Sequence, residues 1–174
     1  MGTWSKNLLI TLITLFLLPF AIQAQGVDDD DIDVLARVLE TLTVTAVNDL
    51  DFGDVIQNQN KTVNPEDAEA GSFFINGEPG SEVELSFALP SVLDLDGGPE
   101  TMDITFSSTS ARHNTVDDAS AGSAFDPSVG ATTPINATNG ELYVYIGATA
   151  EPTPTQAPGN YEATITLTVE YTGN

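Results

Sequence analysis

The sequence predicts an all-β protein built as an antiparallel β-sandwich. Several short segments alternate apolar and polar residues with a period of two, which is typical of strands that bury one face. Stretches rich in Gly and Pro separate these segments and predict turns. None of the 174 residues is a cysteine, so no disulfide is available and the fold must be held by packing. Short strands at this spacing favour two pleated layers around one core.

The first 24 residues have the layout of a secretory signal peptide. Lys6 precedes a largely apolar run over residues 8–20, and the sequence Ala-Ile-Gln-Ala at residues 21–24 places a small residue at the likely cut. The apolar run is shorter than the roughly 20 residues that span a membrane as a helix. We therefore predict a signal peptide at residues 1–24, cleavage after Ala24, and a secreted chain that does not insert in the membrane afterwards.

After the predicted cleavage site, the sequence indicates an acidic tail at residues 25–31 and a single β-sandwich domain at residues 32–174. Residues 32–39 alternate so that one face is apolar, and a second alternating run begins near Leu42. We predict that residues 32–39 act as a donor strand for another molecule. The sequence does not separate this prediction from three alternatives: an edge strand of the same sheet, a helix over residues 30–42, and disorder. The candidate assembly residues are Ile32, Val34, Ala36 and Val38.

Three further segments carry the clearest strand patterns, at residues 83–89, 102–106 and 161–171. The last is expected to be one uninterrupted strand of eleven residues. Turns are predicted at residues 77–80, 96–99 and 157–160, where Gly and Pro cluster. Residues 107–139 are rich in small polar residues, so we expect mainly a long surface loop there, with one or two weak strands at most, near residues 132–137.

The charge balance excludes some classes of partner. The chain has 26 acidic and 4 basic residues, which gives a formal net charge of −22. Nucleic acids and anionic membrane surfaces repel such a protein. We interpret the acidic excess as a means of solubility in a salty medium, where screening weakens self-repulsion.

Catalytic and metal-binding patterns are sparse. His113 is the only histidine and is expected to be a solvated loop residue, and no Gly-x-Ser-x-Gly or Ser-x-x-Lys motif occurs. Residues 94–98 resemble the start of a calcium loop, but the glycine comes too early and Thr105 stands where a closing Glu is needed. Residues 28–31 could gather calcium loosely as a counterion. We predict no enzyme activity and no cofactor.

Four segments together carry a family resemblance. LTVTAVNDLDFGDV, INGEPGSEVELSFALPS, LDLDGGPETMDITFSS and QAPGNYEATITLTVEY occur in the order found in the bacterial exported family called domain of unknown function 4402, or DUF4402. The resemblance covers roughly residues 39–171. That family is similar to spore-coat-U-like and archaic chaperone-usher pilin domains, so the resemblance implies an immunoglobulin-like, pilin-like sandwich. Those pilins usually carry a disulfide cysteine in the first strand, which this chain lacks.

The resemblance and the N-terminal pattern together predict a non-catalytic structural protein, a subunit of a surface filament or coat that assembles by N-terminal strand addition. It implies the periplasm or the extracellular surface of a bacterium as its location. The expected partners are further copies or related subunits, and a periplasmic chaperone would cover the open sheet edge. The alternative is a monomeric secreted module that binds a matrix or an adhesive target.

Overall fold

A computed structural model describes residues 29–173. The chain divides into two compact units between Ala36 and Arg37. In the first unit, residues 29–36 contain neither helix nor strand. The predicted signal peptide and most of the acidic tail lie outside the described residues.

The second unit consists of strands, turns and loops. Its strands are β1 (Thr43–Asn48), β2 (Lys61–Val63), β3 (Gly71–Asn76), β4 (Glu82–Ala88), β5 (Val92–Leu95), β6 (Thr101–Thr105), β7 (Ala111–Asn114), β8 (Ser123–Phe125), β9 (Ala131–Pro134), β10 (Glu141–Ile146), β11 (Ala148–Glu151), β12 (Tyr161–Glu162) and β13 (Thr166–Tyr171). Residues 29–173 include no helix, and hence none long and apolar enough to cross a membrane.

The strands form three antiparallel sheets. One has the order β1-β3-β10-β7-β8, the second β12-β5-β6-β11-β2, and the third β13-β4-β9. The second and third sheets continue into each other, because β4 leads into β5 along one strand path and β12 leads into β13 along its neighbour. The prediction of a cysteine-free, all-β, antiparallel sandwich is confirmed.

The alternating apolar residues of the strands pack into two hydrophobic clusters. The first lies between the sheet of β3 and β10 and the sheet of β4 and β13, and its fully buried members include Ile75, Leu85 and Leu142. The second is built around Met102 and Ile104 of β6, with Ala150 of β11 beside them. Apolar side chains at alternate strand positions all point to one face, which is why short strands suffice to build each cluster.

Gly147 lets one strand path pass from the first sheet to the second. It stands between β10 and β11, and its N–H donates to the carbonyl of Ser110. A Cβ atom at this position would collide with the carbonyl oxygen of Val63. The close approach of two backbones requires a glycine here.

The predicted continuous strand at residues 161–171 is wrong in one respect. Residues 163–165 interrupt it between β12 and β13, and residues 89–91 interrupt the neighbouring path between β4 and β5. Pro90 lies in the second interruption and has no N–H to donate to the ladder. The register shifts across the gap, from Thr166 opposite Ala88 to Glu162 opposite Asp94. Six positions separate Ala88 from Asp94 and four separate Glu162 from Thr166, so the irregularity is a bulge in the path that contains Pro90.

The expectation for residues 107–139 is wrong in part: a strand does form near the expected residues 132–137, but the region is not mainly a long loop. Three strands form there, β7, β8 and β9. Their sequences, ARHN, SAF and ATTP, lack the apolar alternation that signals a strand. β7 pairs with β10, β8 pairs with β7, and β9 pairs with β4, so tertiary context overrides a weak local preference.

Two of the alternative structures predicted for the N-terminal segment, the helix and the edge strand, are not found. Residues 29–42 form neither a helix nor a strand, so the helix over residues 30–42 is not present and residues 32–39 do not pair as an edge strand of this chain.

Candidate functional site

Two strands on the same side of the sandwich each have an unpaired edge among the described residues. β1 pairs only with β3, and the path of β12 and β13 pairs only with β5 and β4. β1 runs away from the turn after β3, because its first residue, Thr43, lies opposite Asn76. β13 runs toward that turn, because its last residue, Tyr171, lies opposite Val83. The two open edges are therefore antiparallel to each other.

The inner face of β1 is not covered. Val44 lies opposite the fully buried Ile75 and Ala46 lies opposite Phe73, which places both on the core side of the sheet. All six residues of β1 are nevertheless exposed, and Val44 keeps 39% of its surface accessible. A core-facing position on a complete sandwich would be buried. The core-facing side chains of β1 therefore lack a strand that would cover them.

A cleft of about 790 Å³ opens between these two strand paths, and its lining includes the carboxylates of Asp49, Asp51, Asp54 and Glu162 as well as apolar side chains. Ala46 and Leu50 line one wall, and Tyr161 and Ile165 line the other. The floor reaches the cores of both clusters and is formed by Phe73, Leu93, Met102, Ile104 and Ile146. An apolar floor between two unpaired backbone edges offers both side-chain burial and ladder hydrogen bonds to an extended segment.

A buried hydrogen-bond network holds the second wall in place. The Tyr161 hydroxyl donates to the carbonyl of Ala157 at 2.8 Å and accepts from Gln156 Nε2 at 2.7 Å. The same Gln156 amide also donates to the carbonyl of Thr101 at 2.9 Å, and its side chain is buried. From the other wall, Gln57 Nε2 donates to the Gln156 carbonyl at 2.6 Å. The cleft is preformed, since satisfied buried polar groups rigidify their surroundings.

A second group of contacts fixes where the chain enters β1, and we call it the clasp: Arg37, Glu40, Glu78 and Tyr171. Arg37 Nη2 donates to Glu78 Oε1 at 3.0 Å, and the Glu40 N–H donates to Glu78 Oε2 at 3.2 Å. The Tyr171 hydroxyl accepts from the Glu78 N–H at 2.7 Å and donates to the Glu40 carbonyl at 3.1 Å. Residues 37–40 are thus tied to the turn after β3 and to the end of β13.

The Gly-Glu-Pro-Gly turn is shaped for this clasp. A Cβ atom at Gly77 would stand 2.5 Å from the Tyr171 hydroxyl and 2.8 Å from a methyl group of Leu42. Glycine at this position therefore lets both side chains lie close to the turn. The hydrogen bond from Arg37, followed by the one from the Glu40 N–H, lowers the pKa of Glu78 below its ordinary value. Glu78 is therefore ionised when it holds Arg37 at neutral pH.

The sequence-predicted assembly residues are among the most exposed apolar side chains of the described chain. Ile32, Val34 and Val38 are 86%, 91% and 92% exposed, and Ala36 is exposed as well. Ile32, Val34 and Ala36 belong to the first unit, whereas Val38 follows Arg37 in the second unit and lies within the clasped stretch.

His113 does not lie in a solvated loop, contrary to expectation. It is in β7 opposite the buried Val144, half-buried, with its ring centre 5.7 Å from that of Phe125. His113 Nδ1 is 3.2 Å from the Thr133 hydroxyl. Burial lowers the pKa of His113 below its ordinary value, which favours the neutral ring. Its role in the described structure is to pack between β7, β8 and β9.

The calcium-like stretch forms the hairpin turn between β5 and β6. The Leu95 N–H donates to the Glu100 carbonyl, and the Gly98 N–H donates to the Leu95 carbonyl. Among residues 29–173, no three His, Cys, Asp or Glu side chains are grouped as ligands for one metal ion.

Sequence reasoning found the exposed segment but missed the cleft and the clasp. Ala46 and Ile165 fit the apolar alternation, which marks them as core-facing but carries no information about whether a second layer covers them. Glu78 was expected only as part of a turn, and nothing in its sequence neighbours points to Arg37, 41 positions away.

The resemblance to DUF4402 is confirmed over residues 61–171, whereas the first of the four segments, residues 42–55, lies outside the match and the similarity to spore-coat-U-like and pilin domains stays a prediction. The family model described as "Domain of unknown function (DUF4402)" matches residues 61–171, and the chain belongs to this family. The match begins at β2, so β1, the clasped stretch and the candidate assembly residues precede the matched region. A search of curated proteins found no match.

Proposed function

We propose that the protein is a non-catalytic structural subunit of a surface filament or coat, assembled by strand addition. Residues 32–36 of one copy would enter the cleft between β1 and β12–β13 of the next. One observation carries this proposal: an open cleft with a partly apolar lining lies between two unpaired strand edges, in a chain whose exposed N-terminal residues alternate as a strand should. Such a pair of complementary features on one molecule makes a heterologous, head-to-tail contact.

The energetics require the preformed cleft. Burying Ile32 and Val34 contributes about 1.5 to 3 kcal/mol each, and Ala36 contributes less. Ordering the segment costs about 1 to 2 kcal/mol per residue in backbone entropy. Side-chain burial alone is therefore roughly cancelled, and the surplus comes from ladder hydrogen bonds to β1 and β13. Both edges are already in place, so the acceptor loses little entropy.

The clasp decides the direction of insertion. It lies at the end of the sandwich where β13 finishes, and the N-terminal segment of each copy leaves its domain from there. An inserted segment that runs antiparallel to β13 ends at the opposite pole, where its own domain would follow. Each acceptor domain then has the domain of its donor at one end, and the domain that receives its own segment at the other end. The opposite direction would bring the donor domain against the acceptor's own clasp.

The remaining parts of the proposal concern location and partners. We infer export after loss of residues 1–24, and a place in the periplasm or on the extracellular surface of a bacterium. The partners are copies of this chain or related subunits. A periplasmic chaperone is the natural cover for the open cleft before assembly, because an exposed apolar edge promotes aggregation. The net charge of −22 disfavours nucleic acid, and the proposal requires no cofactor.

A monomeric binding module is the second candidate. It is favoured by the outward face of β3 and β10, where the half-exposed rings of Phe74 and Tyr143 lie 5.3 Å apart. Exposed aromatic side chains of this kind occur in adhesive and matrix-binding surfaces.

Removal of the N-terminal segment separates the two candidates. We compare residues 25–174 with residues 37–174, a cut that leaves the clasp intact, by size-exclusion chromatography with light scattering. The longer protein is expected to form a concentration-dependent ladder of oligomers and the shorter one only monomers. A synthetic peptide of residues 25–36 should bind the shorter protein and raise its Tm. Monomers in both samples would favour the binding module instead.

A further inference from the structure

The bond between Arg37 and Val38 stands out as a site for proteolysis. The described residues contain only three basic side chains, Arg37, Lys61 and Arg112. Lys61 is in β2, where it is paired with β11 and its Nζ donates to the Asp54 carbonyl at 3.0 Å. Arg112 is in β7, paired with β10 and β8, and bound to Glu66. Arg37 alone precedes the sheets.

The backbone around Arg37 suits a protease. Proteases bind several residues of their substrate in extended form, and cut folded proteins where that backbone is exposed and free of secondary structure. Residues 29–42 form no helix or strand, and residues 29–38 are exposed. The side chain of Arg37 is 64% exposed. On the other side of the bond, Leu39 is half-buried and the Glu40 N–H is held by Glu78, so the clasp must open before cleavage.

We propose that a trypsin-like serine protease hydrolyses the Arg37–Val38 bond and converts a subunit into a chain end. Water adds across the bond, leaving a carboxylate on Arg37 and an amino group on Val38. The inference rests on the proposed assembly. Every residue that lines the cleft follows Val38 in the chain, so the cleaved protein keeps its acceptor site and loses its donor segment. It can receive one neighbour but cannot join the next.

Assembly and cleavage then compete for the same segment. Once residues 32–36 lie in a ladder between β1 and β13 of a neighbour, their backbone is no longer available to a protease. Free subunits are cut, whereas inserted segments are protected. The fraction of cleaved copies would set the mean length of the polymer.

The ion pair between Glu78 and Arg37 hinders a protease from binding the Arg37 side chain. A trypsin-like protease binds the arginine side chain through a carboxylate of its own, and it must take the guanidinium from Glu78. Glu78→Gln removes the charge and keeps the shape. Because exposed ion pairs are weak, we expect this change to raise the cleavage rate by no more than about fivefold.

Limited digestion with trypsin tests the inference. The purified chain is treated at low protease ratio and followed by intact mass spectrometry. The expected first stable product within the described region begins at Val38. Arg37→Lys should still be cut there, and Arg37→Gln should not. The product, mixed in small amount with intact protein, should shorten the polymers, and protein assembled beforehand should resist cleavage.

Two results would overturn parts of this account, and the mass spectrum distinguishes them. A first cut after Lys61 or Arg112, or no cut after Arg37, refutes the processing site itself. Cleavage after Arg37 that leaves polymer formation unchanged refutes both the capping role and the assembly on which it rests.

Discussion

Val34→Asp is expected to abolish self-assembly while leaving the Tm of the isolated domain unchanged. Val34 is 91% exposed and belongs to the first unit, whereas both hydrophobic clusters belong to the second, so its replacement removes no core contact. In an assembled polymer it would be buried against an apolar floor, where an unpaired carboxylate costs several kcal/mol. Since each 1.4 kcal/mol is tenfold in affinity, the contact should weaken by about 100-fold or more. Light scattering and thermal unfolding measure the two effects.

Leu35→Asp is the matched control for this prediction. It introduces the same charge one residue further on, in a side chain that is also exposed. Because side chains of a strand alternate between its faces, Leu35 would point away from the cleft floor when Val34 points into it. Leu35→Asp should assemble far better than Val34→Asp. Equal loss in both variants would contradict a strand, and unfolding of the Val34→Asp monomer would show that the segment belongs to its own domain.

Ile165→Asp is expected to block the acceptor side with a comparable loss. Ile165 lines the cleft between β12 and β13 and is only half-buried, so the carboxylate is tolerated in the free monomer but not beneath an inserted strand. The variant keeps its N-terminal segment and should still donate it. Mixed with Val34→Asp, which keeps its cleft, it should form heterodimers that grow no further. Native mass spectrometry of the two variants, alone and mixed, measures this.

Thr166→Asp serves as the control on the acceptor side. Thr166 is the first residue of β13, is exposed, and follows Ile165 on the opposite face of the strand path. It should retain assembly. If Ile165→Asp polymerises normally, or if its mixture with Val34→Asp stays monomeric while both proteins remain folded, the cleft is not the acceptor.

The strongly periodic strands could be predicted from the sequence because burial of one face leaves a pattern with period two. β4 and β6 were found in this way, at nearly their observed bounds. β7 and β8 could not be found, since short strands such as ARHN and SAF carry no such pattern and are held by their neighbours, and β9 was expected only as a weak strand. His113 was misjudged for the same reason: its environment is set by β10 and β9, which are distant in sequence.

The same distinction between local patterns and distant contacts applies to the candidate site. The N-terminal segment is a local pattern, and the sequence is sufficient to single out Ile32, Val34 and Ala36. The cleft is a missing partner beside β1 and β13, and the residues that line it look like ordinary core residues. Only the combination of register and exposure, as for Val44 opposite Ile75, reveals an uncovered face. The clasp likewise joins residues far apart in the chain.

Cross-linking between single cysteines detects whether position 34 of one copy lies beside position 165 of the next, because the natural chain contains no cysteine to interfere. One preparation carries Val34→Cys and a second carries Ile165→Cys. They are mixed and treated with a short thiol-to-thiol cross-linker. We expect a covalent heterodimer that joins position 34 of one chain to position 165 of the other. Little product is expected when the Ile165→Cys protein is replaced by Val129→Cys, which changes an exposed position between β8 and β9. If a chain carrying both cysteines instead links only within itself at every dilution, and the mixture yields no heterodimer, the segment completes its own sandwich and the proposed polymer is wrong.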